Sequence, residues 1–390
     1  MDLEHAEYGL NTMLAHYGEE EKLKGAVTPP IFQNSLFVFP TMEELLEAMY
    51  DTPAGPPHHY SRVGNPTTAL AEKKIAKLEG AEACKLFGTG MGAISAAVIS
   101  CVRAGSHVIA ADTCYGPVRD FVSKYLDRFG VTYTWVDGRC PEEFFDAVRP
   151  ETSLIYLESP SSLVFRLQDI EAVAKFARQK GIATIMDNTY NTPLHMQPLS
   201  VGVDMVVHSG TKYFGGHSDI TAGAVATSNE RADKMIRGEI AYFGAILHPF
   251  SAWLLNRGLR TLPLRLKRHE ETANTIAAWL DDRPEIDVVH HLGLPSYPQR
   301  DLMRKMMTGT GGLFSFEPKV QDEAKVMAFA NSLKLFQRGI SWGGHESLVV
   351  ALKCQPLGYT EERWIVRLFC GLEDAPDLIR DLDQALAHLA

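Results

Sequence analysis

From residue 66 to about residue 209, helical segments alternate with short apolar runs, and this alternation limits the possible folds more than any other feature. "TALAEKKIAKLEG", "GMGAISAAVISCVRAG", "VRDFVSKYLDRFG" and "QDIEAVAKFARQKG" read as helices, with Gly80 as a C-cap. Between them "ACKLFG", "HVIAAD", "VTYTWVD", "SLIYLESP", "IATIMD" and "VDMVVHS" read as strands. Strands separated by helices return by crossovers rather than hairpins, so the expected fold is α/β, a mainly parallel sheet covered by helices.

The flanks differ. Residues 1–60 lack a strong period and are rich in aromatics and prolines. There "VTPPIFQNSLFVFP" reads as an extended arm, "TMEELLEAMYDT" as a short helix and "AGPPHHYSRVGNPTT" as turns. An arm with little core of its own is expected to pack on a partner subunit. After about residue 250, "SAWLLNRGLRTLPLRLKRHEETANTIAAWLDD" reads as one long helical stretch. The runs "GGLFSFEP", "SLVVAL" and "WIVRLFCG" and the helix "DAPDLIRDLDQALAHL" then suggest a smaller α/β domain. The expected division is an arm over 1–60, a large domain over 61–255 and a C-terminal domain over 256–390.

With 390 residues the chain has room for two or three domains. A net charge of −10 argues against nucleic-acid binding. Apolar stretches are too short to span a bilayer, and the start shows no secretory h-region. The six cysteines are scattered, as expected of reduced thiols. These features point to a cytoplasmic protein without a membrane partner. The pairs His58-His59 and His290-His291, and His208 with His217, lack metal-ligand spacing, so no metal is expected.

Candidate site residues come from several places. In "HSGTKYFGGHSD", Lys212 follows a buried strand between Ser209, Thr211 and a glycine pair, where an amine can lose its proton and become a nucleophile. A solvated loop lysine is the alternative. "FGTGMGA", with Gly90 and Met91, joins a strand to a helix and suits a phosphate, or is a tight turn. Read another way, Gly88-x-Gly90-x-x-Ala93 with Asp112 after the next strand fits a dinucleotide fingerprint and a nicotinamide dehydrogenase. Asp187 ends an apolar strand and suits a protonated ring nitrogen, or caps a helix. Tyr115 could lie over a flat cofactor or simply pack. Tyr60 and Arg62 could reach a phosphate, and Arg367 needs an anion, either a substrate carboxylate or an internal acid. In chain order this is a phosphate loop, a stacking tyrosine, a strand-end aspartate and a lysine, which suits pyridoxal phosphate (PLP).

On "YSRVGNPTT", "DNTY", "HSGTKYFGGHSD", "RGLRTLPLRL", "SWGGHESL" and "VRLFCGLED", the chain resembles the Cys/Met-metabolism family of PLP enzymes over nearly its whole length. The resemblance implies an aspartate-aminotransferase-type (fold-type I) fold. Lys212 would be the Schiff-base lysine, and Asp187 would pair with the pyridine nitrogen. Tyr115 would stack on the ring and help in proton transfer. Gly90, Met91, Ser209 and Thr211 would hold the phosphate. Tyr60 and Arg62 would serve the neighbouring subunit's cofactor, implying a dimer paired into a tetramer. Arg367 would take the substrate carboxylate, with Ser341 and Trp342 lining the same pocket.

Within the family, "ESPSSLVF" puts Ser162 where most γ-class members have an asparagine near the cofactor's ring oxygen. "SPSS", "SWGG" and "YGPVRDF" look like bacterial cystathionine β-lyase, whereas "YSRVGNPTT" looks like the γ-synthase and γ-lyase branch. Pro117 stands where methionine γ-lyases have a cysteine. The expected activity is that of a PLP-dependent carbon–sulfur or carbon–oxygen lyase most similar to cystathionine β-lyase. The alternative is a γ-lyase acting on methionine, homocysteine or an O-substituted homoserine-like amino acid such as canavanine.

Overall fold

The structure is a computed structural model and describes residues 8–20, 22–50 and 57–390. The start of the expected arm and Ala54–Pro56 of its turn-rich stretch lie outside the described residues.

Seven strands form the larger sheet: β1 (Ala83–Phe87), β2 (His107–Ala111), β3 (Thr132–Val136), β4 (Thr152–Glu158), β5 (Ala183–Asp187), β6 (Met205–Ser209) and β7 (Gly223–Thr227). Their order is β1-β7-β6-β5-β4-β2-β3. All neighbours are parallel except β7, which runs antiparallel between β1 and β6. The sheet is buried on both faces, which is why its strands read as continuous apolar runs. One face packs Tyr156, Ile185, Val207 and Val225 with Ala93 and Ala97 of the helix Gly90–Ile99. The other packs Leu157, Met186, Val206 and Ala224 with Ile75 of the helix Pro66–Glu79 and Val173 of the helix Ile170–Lys180.

Sequence reasoning missed β7. "GAVAT" is small and glycine-led, with little β-propensity. The geometry requires it, because a Cβ at Gly223 would collide with the Thr89 backbone oxygen at the start of the helix Gly90–Ile99.

The second sheet has the order β10-β11-β12-β9-β8, built from β8 (Ile286–His290), β9 (Leu313–Pro318), β10 (Gln337–Arg338), β11 (Leu348–Cys354) and β12 (Arg363–Phe369). It is antiparallel apart from β10 against β11. Phe314, Phe316, Val366 and Leu368 form its core with Ile276, Leu280, Leu378 and Leu382 from the covering helices. The expected single helical stretch is in fact two helices, Pro249–Leu259 and Leu262–Asp281. Pro263 lies in the second one's first turn, where its missing N–H costs nothing, and its ring would clash with the continuing helix before it. Among the described residues, no helix is long and apolar enough to cross a membrane.

The extended segment ahead of residue 40 is tied to the body by bonds such as Trp253 Nε1 to the Pro29 oxygen (3.0 Å) and the Phe32 N–H to Thr67 Oγ1 (2.9 Å). Val27 and Val38 along it are 81% and 88% exposed, so it brings apolar surface to the outside rather than to its own core.

Candidate active site

The candidate residues gather at the carboxyl ends of the parallel strands, where open α/β sheets leave a crevice. Asp187 is the last residue of β5. Its Oδ1 accepts from the Thr189 N–H (3.0 Å) and Thr189 Oγ1 (2.5 Å), and its Oδ2 from the Tyr156 hydroxyl (3.4 Å). Burial raises its pKa, and the Thr189 bonds oppose that rise. No lysine or arginine pairs with it among the described residues.

Glu158 ends β4 in register with Asp187, so two carboxyl groups lie side by side, Glu158 buried and Asp187 partly so. Burial, and then the charge on Asp187, push Glu158 up to about 8. It accepts from the Tyr115 N–H (2.7 Å) and Ser162 Oγ (2.8 Å). Sequence reasoning missed it, although a carboxylate closing an apolar run is the same signal that singled out Asp187.

Lys212 lies three residues past β6, in a turn closed by its own N–H to the Ser209 oxygen (3.1 Å) and the Gly215 N–H to the Gly210 oxygen (2.8 Å). Gly343, at φ +86°, packs directly on it: a Cβ there would stand 2.7 Å from the Lys212 carbonyl carbon. Space and the left-handed backbone both call for glycine in "SWGG". Lys212 Nζ donates to Ser341 Oγ (2.7 Å) and lies 5.6 Å from the Trp342 ring centroid. Burial, and then the neighbouring Arg367 charge, lower its pKa to about 8, with Asp187 opposing. The amine is thus not a solvated loop lysine.

Gly90 opens its helix against Ser209, and a Cβ on it would meet Ser209 Cβ and Oγ at 2.9 Å. The N–H groups of Gly90 and Met91 belong to the helix's first turn, where no earlier carbonyl can accept them. Thr211 Oγ1, by contrast, is tied to its own turn, accepting from the Ala222 N–H (3.0 Å) and donating to the Ala222 oxygen (3.3 Å).

Arg367, on β12, donates from Nη2 to the Ile340 oxygen (2.6 Å). Burial lowers its pKa to about 10. No carboxylate pairs with it among the described residues, so the internal acid that would explain its place in an apolar run is not there. Tyr115 stands partly exposed between these groups, its phenol raised by burial and by the charges of Asp187 and Glu158.

Tyr60 and Arg62 are not part of this group. They pair with each other, the Arg62 guanidinium 5.2 Å from the Tyr60 ring centroid, and no hydrogen bond or ion pair joins them to Lys212, Asp187 or Gly90. The dinucleotide reading also fails on geometry. β1 is an edge strand antiparallel to its neighbour β7, so Gly88 and Gly90 do not open a parallel βαβ unit. Asp112 is buried, and its Oδ2 accepts the Leu357 N–H (2.5 Å) rather than facing a crevice.

These residues fit PLP. An aspartate at a strand end with no lysine or arginine bonded to it suits a protonated ring nitrogen, the cradle a side chain would fill at Gly90 suits a phosphate, and a lysine near neutrality suits the aldehyde. The comparisons with known proteins agree. A family model described as "Cys/Met metabolism PLP-dependent enzyme" matches residues 11–387. The chain is 40% identical to the L-methionine gamma-lyase of Pseudomonas deceptionensis, over 100% of each chain. It is 34% identical to the cystathionine gamma-lyase of Bacillus subtilis, over 97% of this chain and 99% of that one. The crystal structure of metB from Corynebacterium glutamicum superposes with a TM-score of 0.91 at 34% identity, covering 98% of this chain and 99% of the other.

Proposed function

Because the chain belongs to the Cys/Met-metabolism family of PLP-dependent enzymes, we propose that it is a carbon–sulfur lyase working at Cγ of an amino acid, of the methionine or cystathionine γ-lyase kind. Full-length identity to γ-lyases supports γ- over β-elimination. It outweighs the local resemblance of "SPSS" and "SWGG" to cystathionine β-lyase, which led the sequence reading. Those motifs cover a few residues, and in this chain both serve local packing: Ser162 binds Glu158, and Gly343 makes room for Lys212.

PLP, when bound, supplies the electron sink that makes Cα–H acidic. The chain's own groups do the rest. Arg367 binds the substrate carboxylate with a guanidinium that no internal acid holds. Asp187 would pair with the ring nitrogen and favour its protonated form. Lys212 moves protons: with a pKa of about 8 it is partly neutral at physiological pH, so it can take the Cα proton and then serve Cβ. Tyr115 stands where it can lend or take a proton at the amine or leaving group. The partner subunit completes the site with its own Tyr60 and Arg62, which in one chain lie apart from Lys212, and the exposed apolar arm gives the pair of subunits a surface to share.

The observation that carries the reading is Lys212, whose Nζ is held by Ser341 Oγ at 2.7 Å and lies over the Trp342 ring in a pocket that also feels Arg367 and Asp187. The test is product analysis. Cystathionine would yield 2-oxobutyrate and cysteine, and methionine 2-oxobutyrate and a thiol. Pyruvate and homocysteine from cystathionine would return the assignment to β-elimination.

A further inference from the structure

We propose that Glu158 is a positioning residue for this reaction: with Ser162 it fixes the backbone of Tyr115 and so sets where the phenol stands. The proposal rests on Tyr115 having a task in that reaction. Tyr115 precedes the short helix Gly116–Asp120 with no side-chain cap of its own. Its N–H is held by Glu158 Oε2 at 2.7 Å. Glu158 is itself held from several sides. Ser162 Oγ donates to its Oε1 (2.8 Å). Gln168 accepts its N–H (3.2 Å) and donates to its carbonyl (2.7 Å). A second tie between the same two loops runs from Thr113 Oγ1 to Ser161 Oγ (2.8 Å). The phenol is thus placed through the main chain, by a carboxyl group on the next strand.

A carboxyl group is a costly way to build this contact. Glu158 is buried beside Asp187, and Asp187, Tyr156, Cys114 and Tyr115 are the titratable groups around it, with no lysine or arginine among them. Setting a buried carboxyl group beside a second one with no lysine or arginine bonded to either disfavours ionising both. An apolar residue would fill the strand end at less cost, but it would leave the Tyr115 N–H without an acceptor. Among the described residues the Ser162 hydroxyl makes no other side-chain bond, and it is taken up by Glu158.

The test combines a readout without substrate and one with it. Amide hydrogen exchange is measured on the PLP-free full chain in the segment holding Tyr115, beside kcat, KM and the visible circular dichroism of the holoenzyme. Glu158→Ala should speed exchange at Tyr115 by about ten- to a hundredfold, as expected when an N–H loses its acceptor and is left unpaired. It should also change the dichroism and lower kcat about tenfold or more with KM nearly unchanged. Glu158→Gln, whose amide oxygen still accepts, should stay within about twofold of the parent in both readouts. In a Tyr115→Ala background, Glu158→Ala should cost less than about twofold further, because it acts through Tyr115. Multiplying losses, unchanged protection in Glu158→Ala, or lost protection with unchanged kcat would overturn the proposal. If Glu158→Ala does not fold, Glu158→Gln and Ser162→Ala decide it. Ser162→Ala should loosen Tyr115 exchange and lower kcat together, and a Glu158→Gln variant as slow as Ser162→Ala or slower would show that charge rather than the hydrogen bond matters. A parent enzyme without γ-lyase activity would count against the reading of the reaction, while the exchange comparison would still stand.

Discussion

Lys212 Nζ donates to Ser341 Oγ at 2.7 Å, joining the turn after β6 to the segment between β10 and β11. The candidate nucleophile is therefore held from both sheets. Its low pKa comes first from burial and next from the positive charge of Arg367. Arg367→Met should remove the second effect and keep the first. With the cation gone, protonation of Lys212 becomes easier, so the pH midpoint for PLP capture by the PLP-free chain should rise above about 8. Capture followed by borohydride should label Lys212 in both proteins. An unchanged midpoint would show that Arg367 does not act on Lys212 through its charge.

Arg367 should also show its role in the kinetics. Arg367→Ala should raise KM for the amino acid by about tenfold or more, since losing a charged hydrogen-bonding partner in a dry pocket costs roughly 1.5–3 kcal/mol. PLP affinity should change far less. An unchanged KM would leave the guanidinium with only its bond to the Ile340 oxygen.

No hydrogen bond or ion pair joins Tyr60 or Arg62 to Lys212 within one chain, and the proposed role at a second copy's site can be tested. Arg62→Ala should loosen PLP. Mixing that variant with Lys212→Ala should partly restore activity, because a hybrid dimer can assemble one site with both residues intact. Each variant alone should stay nearly inactive. A monomer that holds PLP as tightly as the assembled protein would contradict this.

How far the sequence showed this site depends on the residue. Lys212, Asp187 and Arg367 were legible because each is a charge at the end of, or inside, an apolar run, where burial demands a reason. The parallel strands were legible because a sheet covered on both faces needs continuous apolar segments. β7 was not, because its small residues answer to the Thr89 backbone, a contact that no local pattern encodes. Glu158 was hidden inside a motif noted for its serine. Which neighbour Ser162 binds depends on the fold of the loop after β4, and only the structure shows it turned toward Glu158. The preference for β-elimination rested on short motifs, and full-length similarity weighs against it.

The N-terminal segment is fastened by a buried charge cluster. Lys74 Nζ, with no exposure, meets Glu19 Oε1 (2.5 Å) and the Leu14 oxygen (2.8 Å), and Arg260 Nη2 reaches Glu19 Oε2 (2.8 Å). Burial pushes the Glu19 carboxyl up, but Lys74 and Arg260 together outweigh it, and its pKa is lowered. A carboxyl group lowered on folding adds stability above its unfolded value, and that contribution is lost as the pH falls through the folded value. Glu19→Gln leaves the Lys74 charge poorly paired and should cost about 3 kcal/mol at pH 7. Denaturant titration should show the parent losing this advantage on acidification below pH 4.5, while the variant changes less there. Equal stability at pH 7 would show that the cluster only breaks even.

The site of elimination can be read from hydrogens as well as from products. In γ-elimination the leaving group departs only after a proton has left Cβ, so one base must serve Cα and then Cβ. Lys212 suits that double duty because its amine takes and returns protons near neutral pH. In deuterated water, methionine recovered before complete conversion should carry deuterium at Cα and at Cβ. A β path needs exchange at Cα alone. Ser341→Ala removes the hydrogen bond that Lys212 Nζ makes to Ser341 Oγ, and because that bond fixes the amine rather than the substrate, the ratio of Cβ to Cα exchange should shift more than the Cα rate itself. Recovered substrate labelled only at Cα, together with pyruvate from cystathionine, would show that Lys212 works at one carbon and that the enzyme eliminates at Cβ.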